Sequence, residues 1–258
     1  MKLQGMGLVC TGSVTQSFLA RMPALLARLG PVKASSFRVG RQISRSLRAG
    51  QSASHFSALE TCPVVWFAMP ETMLERALSE FATQTPIHKT MVVLCDCERQ
   101  SSRPGMLSRT GARVASLNAV PEFNERLFIA EGHPDTLRAI RRLTELEDRK
   151  LIELQSGMKP LFFAGTRFAA PLLLPWIAAA VESLRLAGFT RAEAAAVGEN
   201  IGIRTLYRYT KAGPRAWNRK TAASLRHGLE HDLETIRGRD RRLSEIYEQG
   251  IRIALAKF

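Results

Sequence analysis

Short apolar runs alternate with stretches of helical periodicity through the first 155 residues, and after Gln155-Ser156-Gly157 the alternation stops. Met6–Cys10 reads as a first strand. Phe18, Leu19 and Met22 then recur at helical spacing, and Pro23 opens a second short helix carrying Leu25, Leu26 and Leu29, closed by Gly30-Pro31. Val32–Ser35 reads as the second strand. Behind it Val39, Ile43 and Leu47 stand four apart, with Arg38, Arg41, Arg45 and Arg48 on another face, which predicts an amphipathic helix with a basic side. Further strands are expected at Pro63–Ala68, Met91–Cys95, Arg113–Leu117, Leu127–Ala130 and Arg149–Leu154, with helices over Thr72–Ala82 and Pro134–Leu146. Strands interleaved with helices in this way belong to an α/β domain, a parallel sheet with crossover helices on its faces.

The remainder reads as wholly helical. Thr190-Arg191-Ala192-Glu193 has the form of a capping box, Gly188 closes the helix before it, and Gly213-Pro214 breaks the helix after it. A final pair of helices is expected over Thr221–Ile236 and Arg239–Ala256. The chain therefore divides into an α/β domain at 1–155 and an all-α domain at 156–258. Its most apolar stretch, Phe168–Val181, carries Pro171 and Pro175 and is shorter than the roughly 20 residues a spanning helix needs. We read it as an interface helix and expect no membrane association.

Composition adds charge to this picture. The 258 residues are 45% hydrophobic and 23% charged, ordinary globular usage, yet the formal net charge is +14. Such a field favours anionic partners. Nucleic acid is not the favoured one, because the arginines are spread from Arg21 to Arg252 and no finger-like metal spacing or RNA-binding aromatic signature accompanies them. A small anionic substrate suits the charge better. Cys10, Cys62, Cys95 and Cys97 read as reduced thiols of a cytoplasmic protein, the last two being too close in sequence for an ordinary disulfide. His55, His88, His133, His227 and His231 are scattered, so no metal is expected. The residues before Cys10 lack the apolar core of an export signal.

The first strand is followed by Cys10-Thr11-Gly12-Ser13-Val14-Thr15. A dinucleotide fold needs a tight turn here, where backbone N–H groups meet a pyrophosphate. Of the glycines in G-x-G-x-x-G only the middle one, Gly12, is present, the one that lets the backbone approach phosphate closely. Thr11, Gly12, Ser13 and Val14 are the candidate phosphate contacts. At the end of strand two, where an NAD enzyme carries an acidic residue, the chain has Ser35, Ser36 and Arg38, a set suited to the 2′-phosphate of NADP.

The run Val64-Val65-Trp66-Phe67-Ala68-Met69-Pro70-Glu71 resembles the nicotinamide-side strand of one group of proteins. These are the Rossmann-like NADP-binding proteins with a helical C-terminal domain of unknown function, related to ketopantoate reductase, pyrroline-5-carboxylate reductase and the deazaflavin-dependent NADP reductases. The likeness continues through Gly111–Phe123 and Phe128–Gly132, and resumes at Lys159–Gly188 and at Gly213-Pro214. It implies a Rossmann-type sheet domain, NADP held at the sheet's C-terminal edge with Ala68, Met69, Pro70 and Cys95 beside it, a substrate cleft between the domains, and a homodimer formed by the C-terminal helices.

The sequence departs from the family where acid–base chemistry is expected. Asn118-Ala119 stands in place of His-Pro, Phe162-Phe163-Ala164-Gly165 in place of Tyr-His-Ala-Ala, and Arg215-Ala216-Trp217-Asn218 in place of Arg-Gly-Asp. The polar residues left in the implied cleft are Lys159 and Asn118 as catalytic candidates, with Phe163, Arg167 and Thr205 facing substrate; Lys211 is more simply a capping side chain. Two functions stay open: an NADP-dependent oxidoreductase acting on a small anionic carbonyl or imine compound, and a non-catalytic dinucleotide-binding or scaffold homologue with eroded catalytic residues.

Overall fold

The computed structural model describes residues 5–86, 88–98, 107, 110–120, 126–216 and 231–256. Pro121, Glu122, Phe123, Trp217, Asn218, His227 and most of the helix expected at 221–236 lie outside them. The chain forms two compact units, Met1–Phe163 and Ala164–Phe258, so the division falls within the first helix after the sheet.

The first unit is built on an eight-stranded sheet of order β3-β2-β1-β4-β5-β6-β7-β8. Its strands are β1 (Met6–Cys10), β2 (Leu29–Lys33), β3 (Gln51–Ala53), β4 (Val64–Ala68), β5 (Met91–Cys95), β6 (Arg113–Ala119), β7 (Leu127–Gly132) and β8 (Lys150–Glu153). All neighbours pair in parallel except β6 and β7, which run antiparallel with Ser116 opposite Glu131. This is the Rossmann-type arrangement, with one antiparallel step added to the expected parallel sheet. The step is possible because 120–126, the short connection from β6 to β7, spans no helix-length crossover.

Strands β1, β4 and β5 are buried along their whole length, as strands covered on both faces must be. Leu8, Trp66, Val93 and Leu117 point to one face, where Ile43 of α2 (Phe37–Leu47) and Leu137, Ile140 and Leu143 of α4 (Pro134–Leu146) meet them. Val9, Phe67, Val92 and Leu94 point to the other, under Leu74, Leu78 and Phe81 of α3 (Glu71–Gln84). Each such side chain contributes about 1.5–3 kcal/mol by leaving water.

Two expectations need correction. Strand two spans Leu29–Lys33, not Val32–Ser35, and Gly30-Pro31 lies inside it instead of ending a helix. Pro31 cannot donate to a ladder, and the β1–β2 register shifts irregularly between Met6 and Leu8 to accommodate it. The segment after β1 is not a continuous helix either. It consists of 3₁₀ turns at Gly12–Gln16 and Phe18–Arg21 followed by α1 (Pro23–Leu26). The Thr15 hydroxyl donates to the Gly12 carbonyl and the Ser17 hydroxyl to that of Val14, taking up carbonyls that a longer helix would use.

Between the units runs α5 (Lys159–Ala169), and the second unit contains α6 (Leu174–Leu186), α7 (Arg191–Ala212), a helical stretch at 231–237 and a last helix, Arg241–Ala256. The capping box at the start of α7 forms as expected. The Thr190 hydroxyl accepts from the Glu193 N–H, and the Glu193 carboxylate accepts from the Thr190 N–H at 2.9 Å.

Candidate functional site

The chain runs outward from β1 to β2 and β3, then returns to β4 on the other side of β1 and continues outward. Ligands of open α/β sheets bind in the crevice that this reversal opens at the carboxyl ends of the strands. Here the crevice lies between the ends of β1 and β4, and it is bridged by the Thr11 N–H, which donates to the Ala68 carbonyl at 3.3 Å. The expected phosphate turn thus begins at the switch point.

Within the turn the Thr11 and Ser13 hydroxyls are 2.7 Å apart, and Gly12 and Ser13 are exposed. A Cβ built on Gly12 would meet nothing within 4 Å. The protein itself therefore does not require glycine here, which leaves room for a ligand as the reason. Val14 behaves otherwise. Its side chain is 1% exposed in the core and its N–H donates to the Thr11 carbonyl, so its contribution is to hold the turn.

Beside the turn lies a hollow of about 450 Å³, lined by Thr11, Lys33, Ser35, Phe56, Met69 and Arg76 among others. Lys33 is the last residue of β2, the place where an NAD site carries its acidic residue. Its ammonium lies 5.2 Å from the centre of the Phe56 ring and donates to the Ala34 carbonyl at 2.7 Å. Sequence reasoning missed Lys33 because the end of the strand was placed two residues too late, at Ser35. A basic residue two before Ser35 was its only signal. Ser36 caps α2, its hydroxyl accepting from the Val39 N–H at 3.2 Å, and Arg38 is exposed two residues further on, within the first turn.

Of the other expected cofactor contacts, Ala68 ends β4 and is 5% exposed, Met69 lines the hollow, and Pro70 precedes α3. Cys95 ends β5 but is enclosed in the core, and burial pushes its thiol well above the ordinary value, with Asp96 and Cys97 adding to the rise. A neutral, sealed thiol offers packing, not redox chemistry.

A second polar group lies over β6 and β7. Asn118 is 5% exposed and donates through Nδ2 to the Cys97 carbonyl at 3.1 Å, while its Oδ1 is buried without a hydrogen-bond partner among the described residues. Lys159, at the start of α5, is 0% exposed. Burial pushes its ammonium pKa down, and Cys97, Glu131, Glu71 and Cys95 pull it back up. A buried lysine of this kind gives up its proton more readily than one in water, which is the property asked of a general acid. Phe163 is half-buried with its ring 5.3 Å from that of Phe162. Arg167 and Thr205 belong to the second unit and are exposed; the Thr205 hydroxyl donates to the Ile201 carbonyl within α7. Among the described residues no three His, Cys, Asp or Glu side chains gather as a metal site.

The second unit is short of cover. In α6 no residue is buried and in α7 only Ala194 is, while Leu174, Ile203, Leu206 and Tyr207 are each about 60% exposed. The run Lys159–Leu186, longer than the apolar stretch marked in the sequence, has the length and hydropathy to cross a membrane.

No protein-family model matches this sequence, and no curated protein matches it. Solved structures do. An imine reductase from Myxococcus stipitatus in complex with NADP+ superimposes with a TM-score of 0.69 at 12% identity, over 98% of this chain and 94% of that one. A variant of the Myxococcus stipitatus imine reductase in complex with NAD+ gives 0.74 at 12% identity, over 100% and 95%. Pyrroline-5-carboxylate reductase from Coxiella burnetii gives 0.54 at 12% identity, over 99% and 97%. At these identities the likeness establishes the fold, a Rossmann-type sheet unit followed by a helical one, over nearly the whole chain.

Proposed function

We propose that the chain is an NADP-dependent oxidoreductase that reduces a small anionic carbonyl or imine compound. The observation that carries the reading is the phosphate turn at the β1/β4 switch point, opening beside a hollow lined by Lys33 and Ser35 at the end of β2 and by Arg76 and Glu80 of α3. Pyrophosphate suits the Thr11–Ser13 turn, and a ribose 2′-phosphate suits Lys33, Ser35 and Arg38. Two of the similar structures, solved with NADP+ and with NAD+, support a nicotinamide dinucleotide on this scaffold without choosing between the two. When bound, the dinucleotide supplies a hydride to the electrophilic carbon of the substrate. Lys159 is the residue to supply the matching proton, and Asn118, with its unpartnered Oδ1, is the other candidate of the sheet unit.

The exposed apolar faces of α6 and α7 are best covered by a second copy of the chain. Arg191, Glu193, Glu199, Arg204 and Arg208 are interspersed along α7, and mixed charge of this kind suits a protein partner better than lipid.

A second reading, dinucleotide binding without turnover, is favoured by one observation. Lys159 is fully enclosed, and the Asn118 amide nitrogen is committed to the Cys97 carbonyl. One experiment separates the readings: calorimetric titration with NADPH and NADH, followed by single-turnover absorbance with a panel of 2-oxo acids and cyclic imines. Tighter binding of NADPH, weakened about tenfold or more by Lys33→Ala or Arg38→Ala, supports the cofactor assignment. NADPH oxidation that disappears in Lys159→Met supports the reductase. Binding without oxidation by any compound selects the second reading, and no binding of either dinucleotide overturns both.

A further inference from the structure

We propose that Glu131 is a positioning residue for Lys159: one carboxylate oxygen pins the turn that delivers the lysine, and the other supplies the negative charge against which the ammonium is held. Glu131 sits on β7 opposite Ser116 and is 1% exposed. On the same face of the sheet, β4 and β5 carry Phe67 and Leu94. A carboxylate in a strand covered on that face is costly unless its oxygens are satisfied or its charge is matched.

Half of that requirement is met by the backbone. Glu131 Oε1 accepts from the Gly157 N–H at 2.8 Å. Gly157 has φ +83°, a left-handed conformation that residues with a side chain adopt poorly, so the bond fixes a turn of defined shape two residues before Lys159. The other oxygen, Oε2, is buried with no hydrogen-bond partner among the described residues. What matches it is charge. Lys159 feels Glu131 together with Glu71 of α3 and the two thiols at the end of β5, Cys95 and Cys97. Burial raises the Cys95 thiol and favours its neutral form, which leaves Cys97 and the two carboxylates acting on the lysine. Glu71 is partly exposed and open to screening by water, whereas Glu131 is enclosed and its charge reaches the lysine less attenuated.

The inference rests on Lys159 being the proton source, but its content is a position and a charge, both measurable with no dinucleotide present. The test is an NMR titration of the full chain labelled with ¹⁵N and ¹³C, following the Lys159 side-chain nitrogen, assigned by its loss in Lys159→Met. Glu131→Gln is expected to lower the Lys159 pKa further, because an opposite charge that favours the ammonium is lost. Glu131→Asp retains the charge but shortens the reach, and is expected to keep the lysine titration near that of the unaltered chain while hydrogen exchange at the Gly157 amide accelerates. An unchanged Lys159 titration in Glu131→Gln overturns the proposal. If that variant does not fold, the unaltered protein decides: a Glu131 carboxyl carbon that is ionised at neutral pH, and whose protonation moves the Lys159 nitrogen, supports the proposal, whereas a carboxyl that is still protonated there overturns it. Failure to bind any dinucleotide sinks the oxidoreductase reading and leaves these resonances where they are.

Discussion

In β4 all five residues from Val64 to Ala68 are buried, whereas α7 buries Ala194 alone along its whole length from Arg191 to Ala212. The two halves have similar claims to apolar residues by composition, yet the sheet unit encloses them within itself and the helical unit displays them. The contrast teaches where stability comes from. The sheet unit closes its own core, whereas the described residues of the helical unit leave their large apolar side chains exposed.

The largest expected effect lies in the sheet. The Phe81 ring packs against Phe56 and Phe67 in a core where all three are almost fully enclosed, and Phe81→Ala is expected to cost about 3–5 kcal/mol. Chemical denaturation followed by fluorescence measures it. A loss under about 1 kcal/mol would show that this core yields and erase the contrast with the helices. Gly132→Ala is expected to be comparably severe, since its Cβ would lie 2.4 Å from the Ala115 Cα with φ at +144° and would force β6 and β7 apart.

A smaller effect sharpens the other side. Leu206→Lys combined with Ile203→Lys is expected to weaken self-association by tenfold or more, about 1.4 kcal/mol, without lowering the denaturation midpoint of the sheet. Light scattering coupled to size exclusion reads this out. A monomer before mutation sinks the idea that a second copy covers α6 and α7.

Next comes the cap of α7. Thr190→Ala is expected to cost about 1 kcal/mol. The hydrogen bonds from the Thr190 side chain and backbone hold the Glu193 carboxyl below its ordinary value. The unfolded chain therefore takes up the proton first as pH falls. The contribution of Glu193 is full above the usual carboxylate range and is lost as pH drops through its lowered folded value. A helix whose melting shows no such loss on acidification, or in which Glu193→Gln fails to remove it, contradicts the assignment. The smallest effect is at Arg76, exposed and paired with Glu80 one turn along α3 at 2.9 Å. Arg76→Ala is expected to change stability by no more than about 0.5 kcal/mol.

How much of this the sequence disclosed follows from where each signal is written. β4 and β5 are covered on both faces, so they appear as unbroken apolar runs at nearly their true bounds. β3 escaped because Gln51-Ser52-Ala53 is a sheet edge with only Ala53 buried, and nothing in three residues distinguishes it from a loop. Gly12 marked the turn correctly, but the break into 3₁₀ segments depends on hydroxyl-to-carbonyl bonds that composition does not reveal. Asn118 and Lys159 enter as candidates through a family likeness, and their burial is not visible in the sequence. Glu131 lies one residue beyond the strand expected at Leu127–Ala130, and its carboxylate is held by the backbone of a turn 26 residues later, which no local pattern signals.

The order of the strands has a consequence in time. β1 is made before the other strands of the sheet and lies in its interior, hydrogen-bonded to β2 on one side and β4 on the other. At about 5–20 residues per second, some 3 to 12 s separate the synthesis of Cys10 from that of Ala68, its partner in the register. During that interval one edge of β1 has no native strand to receive it. Codon usage between these positions, or a chaperone that shields the first apolar run, is therefore expected to influence yield more than the same change made after residue 68.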